Sequence, residues 1–77
     1  MEMFKIQNGE DPIDALIRGI EEKAGSKIFT FKILEKEDQG MKSIIVFEDK
    51  RVLYGFIMAD LTTQKDKLGL RIQADYI

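Results

Sequence analysis

The sequence predicts an α+β fold, with one helix packed on one face of a mostly antiparallel sheet of four or five strands, in the order β-α-β-β-β-β. Two observations lead to this prediction. Apolar residues recur with a helical period near the start of the chain, and the remainder alternates with a period of two between short turns. The 77 residues are expected to form one small domain, residues 1–77, near the size at which a single core is only marginally stable.

The helix has the clearest sequence signals. A short first strand around Phe4 and Ile6 precedes it. Asp11 is a suitable N-cap, Pro12 takes the favoured first helical position, and Gly25 ends the helix as the residue after the C-cap. The residues expected to face the core repeat with helical spacing: Ile13, Leu16, Ile17, Ile20 and Ala24.

Four further strands are predicted from the alternation that begins after Ser26. The second strand is centred on Phe31, the third runs from about residue 41 to 48, the fourth from 51 to about 61, and the fifth from 68 to 76. Each strand combines β-branched and aromatic residues, which favour a pleated, half-buried surface.

Two turns set the predicted register. A three-residue bulged loop at 38–40, ending on a left-handed glycine, pairs Phe31 with Phe47. A two-residue loop at 49–50 pairs Phe47 with Val52. Both registers place the aromatic side chains beneath the helix, as burial of one sheet face requires. The residues expected there are Phe29, Phe31, Phe47, Tyr54, Phe56 and Tyr76, with Met58, Leu70 and Ile72.

The same registers leave the second face of the sheet without a cover, because only one helix is predicted. An aliphatic cluster is expected on this open face, formed by Leu34, Ile44, Val46, Leu53 and Ile57. Cations are expected around it, namely Lys32, Lys36, Lys42, Arg51 and Arg71. Contiguous apolar patches of more than a few hundred Å² usually mark an interaction site. The open face is therefore the predicted functional surface.

The composition excludes several kinds of site. The chain has no cysteine and no histidine, which excludes thiolate and imidazole ligands for metals and nucleophilic catalysis by cysteine–histidine pairs. The remaining carboxylates, hydroxyls and amines show no pair at a diagnostic spacing. We therefore predict no catalytic residue, no metal site and no cofactor.

Charge and hydropathy narrow the expected location and partners. The net charge of −2 argues against strong nonspecific binding to nucleic acid or anionic lipid. The first residues lack the pattern of a signal peptide, and no stretch reaches the roughly 18–20 apolar residues of a membrane span. We expect a cytoplasmic protein without membrane contact. The longest predicted loop, residues 61–67, is polar and is interpreted as a solvated connection.

These observations favour a small non-enzymatic protein-binding module that acts through the open face. It would be a homo-oligomer, an accessory subunit or an inhibitor of another protein, and oligomerisation would add stability that so small a core lacks. The alternative is a nucleic-acid-binding oligomer whose cations on the same face contact phosphates. Base stacking is not part of that alternative, because the aromatic residues are expected on the core side.

Overall fold

One helix and five strands form two layers. The computed structural model describes residues 2–38, 40–60 and 66–77. Within them the elements are β1 (Glu2–Lys5), α1 (Pro12–Ala24), β2 (Ile28–Glu37), β3 (Gly40–Phe47), β4 (Val52–Asp60) and β5 (Lys67–Tyr76). All neighbouring strands are antiparallel, in the order β1-β5-β4-β3-β2. The predicted fold class and element order are confirmed.

The helix begins and ends at the predicted caps. Asp11 is extended, and its Oδ1 accepts a hydrogen bond of 2.8 Å from Ile13 N. Gly25 has a φ of 73°, and its N–H donates to the Glu21 carbonyl. These bonds satisfy backbone groups that a helix otherwise leaves without partners at its two ends.

The face of α1 that packs on the sheet is rotated from the predicted stripe. Its buried residues are Ala15, Leu16, Gly19 and Ile20. A Cβ on Gly19 would lie 3.2 Å from the Phe4 ring, so the absent side chain allows the helix to approach β1 closely. Ile13, which is predicted to face the core, is 66% exposed, and Ile17 is half-buried. Ile13 and Ile17, on one flank of the apolar stripe, therefore lie outside the closest contact between the helix and the sheet.

The turn between β3 and β4 has three residues instead of the predicted two. Phe47 N donates to Arg51 O at 2.9 Å, which encloses residues 48–50, and Lys50 takes a left-handed φ of 76°. The commonest two-residue hairpin turn needs positive φ at both central positions, whereas this loop needs it at one. Asp49 Oδ1 supports the turn by accepting from Arg51 N at 3.1 Å.

The extra turn residue exchanges the two faces of β4. Because side chains alternate along a strand, a shift of one residue moves each of them to the opposite face. Leu53 and Ile57 now face the helix and are 6% and 1% exposed. The prediction that these two residues lie on the open face is wrong. The predicted burial of Tyr54, Phe56 and Met58 under the helix is wrong for the same reason.

The pairing of Glu37 with Gly40 and two bulges change the predicted pairing of β2. The register with β3 shifts at Phe29 and at Leu34, and Phe31 lies opposite Ile45 instead of Phe47. This displacement of two residues keeps Phe31 on the helix side, as predicted. Phe29, which is predicted to be in the core, is 74% exposed at the bulge.

Gly40 serves close strand packing and not the left-handed turn predicted for it. It lies within β3 and pairs with Glu37. A Cβ at this position would lie 2.6 Å from the carbonyl oxygen of Ile57, so a larger residue would push β3 away from β4. Residue 39 of the predicted loop lies outside the described residues.

The first strand forms one edge of the sheet. Phe4 lies opposite Leu68 of β5, and Ile6 N donates to Asp66 O at 2.7 Å. The strand therefore extends the sheet and does not cover its open face. Residues 61–65 of the predicted long loop lie outside the described residues.

The core lies between α1 and the centre of the sheet. Its buried apolar members are Ala15, Leu16, Ile20, Ile45, Phe47, Leu53, Ile57, Leu68 and Leu70. Ile72 packs against this core, in keeping with the sequence prediction. Tyr76 is 49% exposed at the margin, with its ring centroid 6.3 Å from that of Phe47.

Because Ile57 faces the core and Ile44 faces the open side of the sheet, replacing isoleucine by valine should destabilise the protein more at position 57 than at position 44. Ile57→Val removes a methyl group from the core and should lower the free energy of unfolding by about 0.5–1.5 kcal/mol. Ile44→Val, on the open face, is the matched control and should lower it by less than about 0.5 kcal/mol. Urea unfolding followed by circular dichroism measures both. Equal losses would contradict the observed register.

Candidate interaction surface

A contiguous apolar cluster occupies the open face of the sheet. Strand pairing brings together six side chains, Ile44 and Val46 of β3 with Val52, Tyr54, Phe56 and Met58 of β4, which we call the open-face cluster. Tyr54 is 37% exposed and the others are half-buried among their neighbours. Within the described residues no second layer packs on this face, because the helix lies on the other side.

The cluster contains two of the five apolar residues predicted from sequence. Ile44 and Val46 lie in it. Leu53 and Ile57 lie in the core, and Leu34 is a bulge residue at the sheet edge, 43% exposed and not opposite Ile44. The surface is therefore where the sequence predicts it, but β4 contributes different side chains.

Three of the five predicted cations lie on the open face. Lys32 is opposite Ile44, Lys42 is opposite Phe56, and Arg71 is opposite Met58. Lys36 is opposite Met41, which places it on the helix side. The prediction that Lys36 belongs to this face is therefore wrong.

Arg51 is also held on the helix side, contrary to the prediction. Its guanidinium donates to the Ala24 carbonyl and, through Nε, to Asp49 Oδ2 at 2.7 Å. It lies 5.7 Å from the ring centroid of Phe47 and 5.0 Å from that of Tyr76, within the range of cation–π attraction. Arg51 thus ties the start of β4 to the C-terminal end of α1.

Lys42 is positioned by an aromatic neighbour. Its Nζ lies 5.4 Å from the ring centroid of Tyr54. A hydrogen bond to Tyr54 is the main cause that raises the pKa of Lys42 above its usual value, and the carboxylates of Glu35 and Glu37 add smaller effects. Lys42 therefore covers part of the Tyr54 ring.

The rim of the open face carries charges of both signs. By strand alternation, the described cations on this face are Lys5, Lys32, Lys42, Lys67 and Arg71, and the described carboxylates are Glu35, Glu37 and Asp75. The whole chain has a net charge of −2, so this face is more positive than the rest of the molecule. An apolar centre with a charged rim is the usual anatomy of a protein interface.

Sequence reasoning missed Tyr54, Phe56 and Met58 because both faces of β4 are apolar. Residues 52–58 are apolar at every position except Gly55, so alternation does not reveal which set faces the core. The turn between β3 and β4 carries the sequence signal that distinguishes the two faces of β4. Residues 49–50 lack the Asn-Gly or Gly-Gly composition of a two-residue hairpin loop, which favours a longer one.

A second uncovered apolar surface lies on the helix side of the sheet. A groove of about 500 Å³ separates the N-terminal half of α1 from the edge strand β2. Its apolar lining consists of Ile13, Leu16, Ile17, Phe31, Ile33 and Met41, and Lys32 and Lys36 also line it. We call it the α1–β2 groove. The sequence prediction missed it because it placed the whole apolar stripe of the helix in the core.

The groove opens because two contacts, one at the middle of α1 and one near its C-terminal end, tie the helix to opposite sides of the sheet. Near its C-terminal end, Glu21 Oε2 accepts a hydrogen bond of 2.7 Å from Ile28 N at the start of β2. At the middle of the helix, Arg18 donates to the Lys5 carbonyl at β1 and to Glu10 at 3.1 Å. A sheet of five strands is about 24 Å wide, whereas a helix is about 10–12 Å across. One helix therefore leaves part of the β2–β3 half uncovered.

Two other kinds of functional feature are absent from the described residues. These residues contain no group of three carboxylates arranged to hold a metal ion, and no helix with the length and apolarity needed to cross a bilayer. Comparison of the chain with protein-family models, curated proteins and solved structures found no match. The functional assignment therefore depends on the two surfaces described above.

The Glu10–Arg18 contact should make stability depend on pH. The hydrogen bond from Arg18, with a further one from the Gln7 backbone, lowers the pKa of Glu10 below 4.5. A carboxyl group with a lowered pKa in the folded state stabilises the fold above its unfolded pKa, and this effect is lost as the pH falls through the folded pKa. Glu10→Gln should therefore be less stable than the unmodified protein at pH 7, with a difference that shrinks below about pH 4.

Urea unfolding at a series of pH values measures this difference. Glu48→Gln, at an exposed turn position, is the matched control and should show a smaller difference at pH 7. If both variants lost the same stability at pH 7, the contact between Glu10 and Arg18 would not be stabilising the helix.

Proposed function

We propose that the protein is a small non-enzymatic binding module that uses the open face of its sheet to pack on another protein. The observation that carries this proposal is the open-face cluster, six side chains brought together by the pairing of two central strands, with no layer over them in the described part of the chain. Isolated exposed apolar residues are ordinary, but a contiguous set on central strands is expected to be covered.

The dimensions of the face suit a protein partner. Four strands of eight to ten residues, with the shorter β1 at one edge, span roughly 24 by 30 Å, or about 700 Å². A standard protein interface buries about 800 Å² on each side, so the face is close to one half of such an interface. Burial of its apolar area at about 25 cal/mol per Å² would contribute several kcal/mol before the losses on association.

The charges around the cluster suit a partner whose apolar patch has charges of both signs at its rim. Lys32 and Lys42 flank the cluster on the β2–β3 side together with Glu35 and Glu37, and Arg71 flanks it on the β5 side together with Asp75. A protein that places carboxylates against these cations and cations against these carboxylates would complement both flanks.

Single-stranded nucleic acid is the second candidate partner. Tyr54 and Phe56 lie on the open face beside Lys42, an arrangement in which rings stack on bases and cations contact phosphates. Two observations favour a protein partner over single-stranded nucleic acid. The net charge is −2, and Lys42 already lies over the Tyr54 ring.

Site-specific photo-cross-linking tests the proposed function. A photoreactive phenylalanine analogue at position 54, in protein expressed in its source cells, should give an adduct with a different protein, and Val46→Asp should abolish it. The same analogue at position 22, on the exposed side of α1, is the control and should not give that adduct. No protein adduct from position 54, or the same adduct from both positions, would count against the proposal. An adduct with a second copy would assign this face to self-association.

A binding assay separates the two candidate functions. We expect no binding of a fluorescent oligothymidine of about 15 nucleotides in about 50 mM salt, measured by anisotropy. Binding that falls steeply with salt and weakens about tenfold in Phe56→Ala would favour the nucleic-acid function, since one stacked base contributes about 1–3 kcal/mol. Val52→Ala, without a ring, is the matched control.

A further inference from the structure

We propose that the α1–β2 groove is the interface of a homodimer formed about a two-fold axis that runs along the groove. This surface lies on the opposite side of the sheet from the open-face cluster, and the inference does not depend on the proposed function. It assigns self-association to a different surface from the one that the sequence predicts.

The groove concentrates strongly exposed apolar side chains. Ile13 is 66% exposed on the helix wall, and Ile33 is 42% exposed on the sheet wall. The helix contributes the overhanging flank of its apolar stripe, and the sheet contributes the part of β2 that the helix does not reach. Two independent features thus produce one continuous apolar surface, which is typical of an interface.

The two rims of the groove carry opposite charges. Lys36, whose side chain is on the helix side of the sheet, lines the β2 rim. On the α1 rim, Asp14 is exposed and lies three residues before Ile17, which makes the two neighbours on the helix surface. A two-fold axis along the groove places the cationic rim of each copy over the acidic rim of its partner. The patch is therefore complementary to itself.

Other geometries and occupants fit less well. The bulges at Phe29 and Leu34 interrupt β2, which disfavours direct pairing of two β2 edges and leaves side-chain contact through the groove. A small apolar ligand is usually buried by about 70% or more, whereas this groove is open along β2 and its wall residue Ile13 is 66% exposed. The groove is smaller than a standard interface, so we expect a dimer of about micromolar affinity.

Sedimentation velocity across a dilution series, from about 1 to 300 µM, tests the dimer. The unmodified chain should change from monomer to dimer, and Ile13→Glu and Ile33→Glu should remain monomeric at every concentration. Both positions are exposed, so the far-UV circular dichroism and melting temperature should change little. Val46→Asp, on the open face, should dimerise like the unmodified chain, which separates this result from any failure of the proposed function.

Charge reversal tests the two-fold arrangement. Lys36→Glu alone and Asp14→Lys alone should each weaken the dimer by about tenfold, because each interface contains the affected contact twice. An equimolar mixture of the two variants should associate more tightly than either variant alone. In the mixed dimer, the carboxylate introduced at position 36 of one copy meets the amine introduced at position 14 of the other.

Three results would overturn the inference. The first is an unmodified chain that is monomeric at about 300 µM. The second is a dimer that Val46→Asp dissociates and Ile13→Glu does not, which would move the interface to the open face. The third is a mixture of the charge variants that associates no better than either alone, which would exclude contact between the opposite rims.

Discussion

The backbone conformation of one residue, Lys50, determines which side chains of β4 lie on each face of the sheet. Its left-handed conformation closes a three-residue turn and fixes which alternate residues of β4 face the helix. With one residue fewer in this turn, Leu53 and Ile57 would leave the core and Phe56 would enter it. Asp49 and Arg51 brace this turn, and Arg51 also reaches the end of α1, so the turn and the helix position are coupled.

The second constraint is the ratio of one helix to five strands. A layer about 10–12 Å wide shields about half of a sheet about 24 Å wide, and the other sheet face has no layer in the described residues. The anchoring of Arg18 at β1 and of Glu21 at β2 decides which half is shielded. The open-face cluster and the α1–β2 groove are thus uncovered for the same reason, because the described residues supply one helix for a sheet of five strands.

Local signals in the sequence predicted much of the fold. The caps at Asp11 and Gly25, the strand alternation and the element order are confirmed. The errors arose where local sequence is degenerate. Both faces of β4 are apolar, so only the turn distinguishes them, and the bulge at Leu34 has no glycine to mark it. The position of α1 on the sheet depends on long-range contacts of Arg18 and Arg51, which no sequence period encodes.

The pairing of β1 with β5 has a consequence for the order of folding. The helix packs chiefly on these two strands, and residues 67–76 are synthesised long after residues 12–24. Until β5 emerges from the ribosome, Leu16 and Ile20 lack Leu68 and Leu70 as packing partners. Contacts between segments so distant along the chain slow folding. We therefore expect the β2–β3–β4 meander, whose contacts are local, to form before α1 docks on β5.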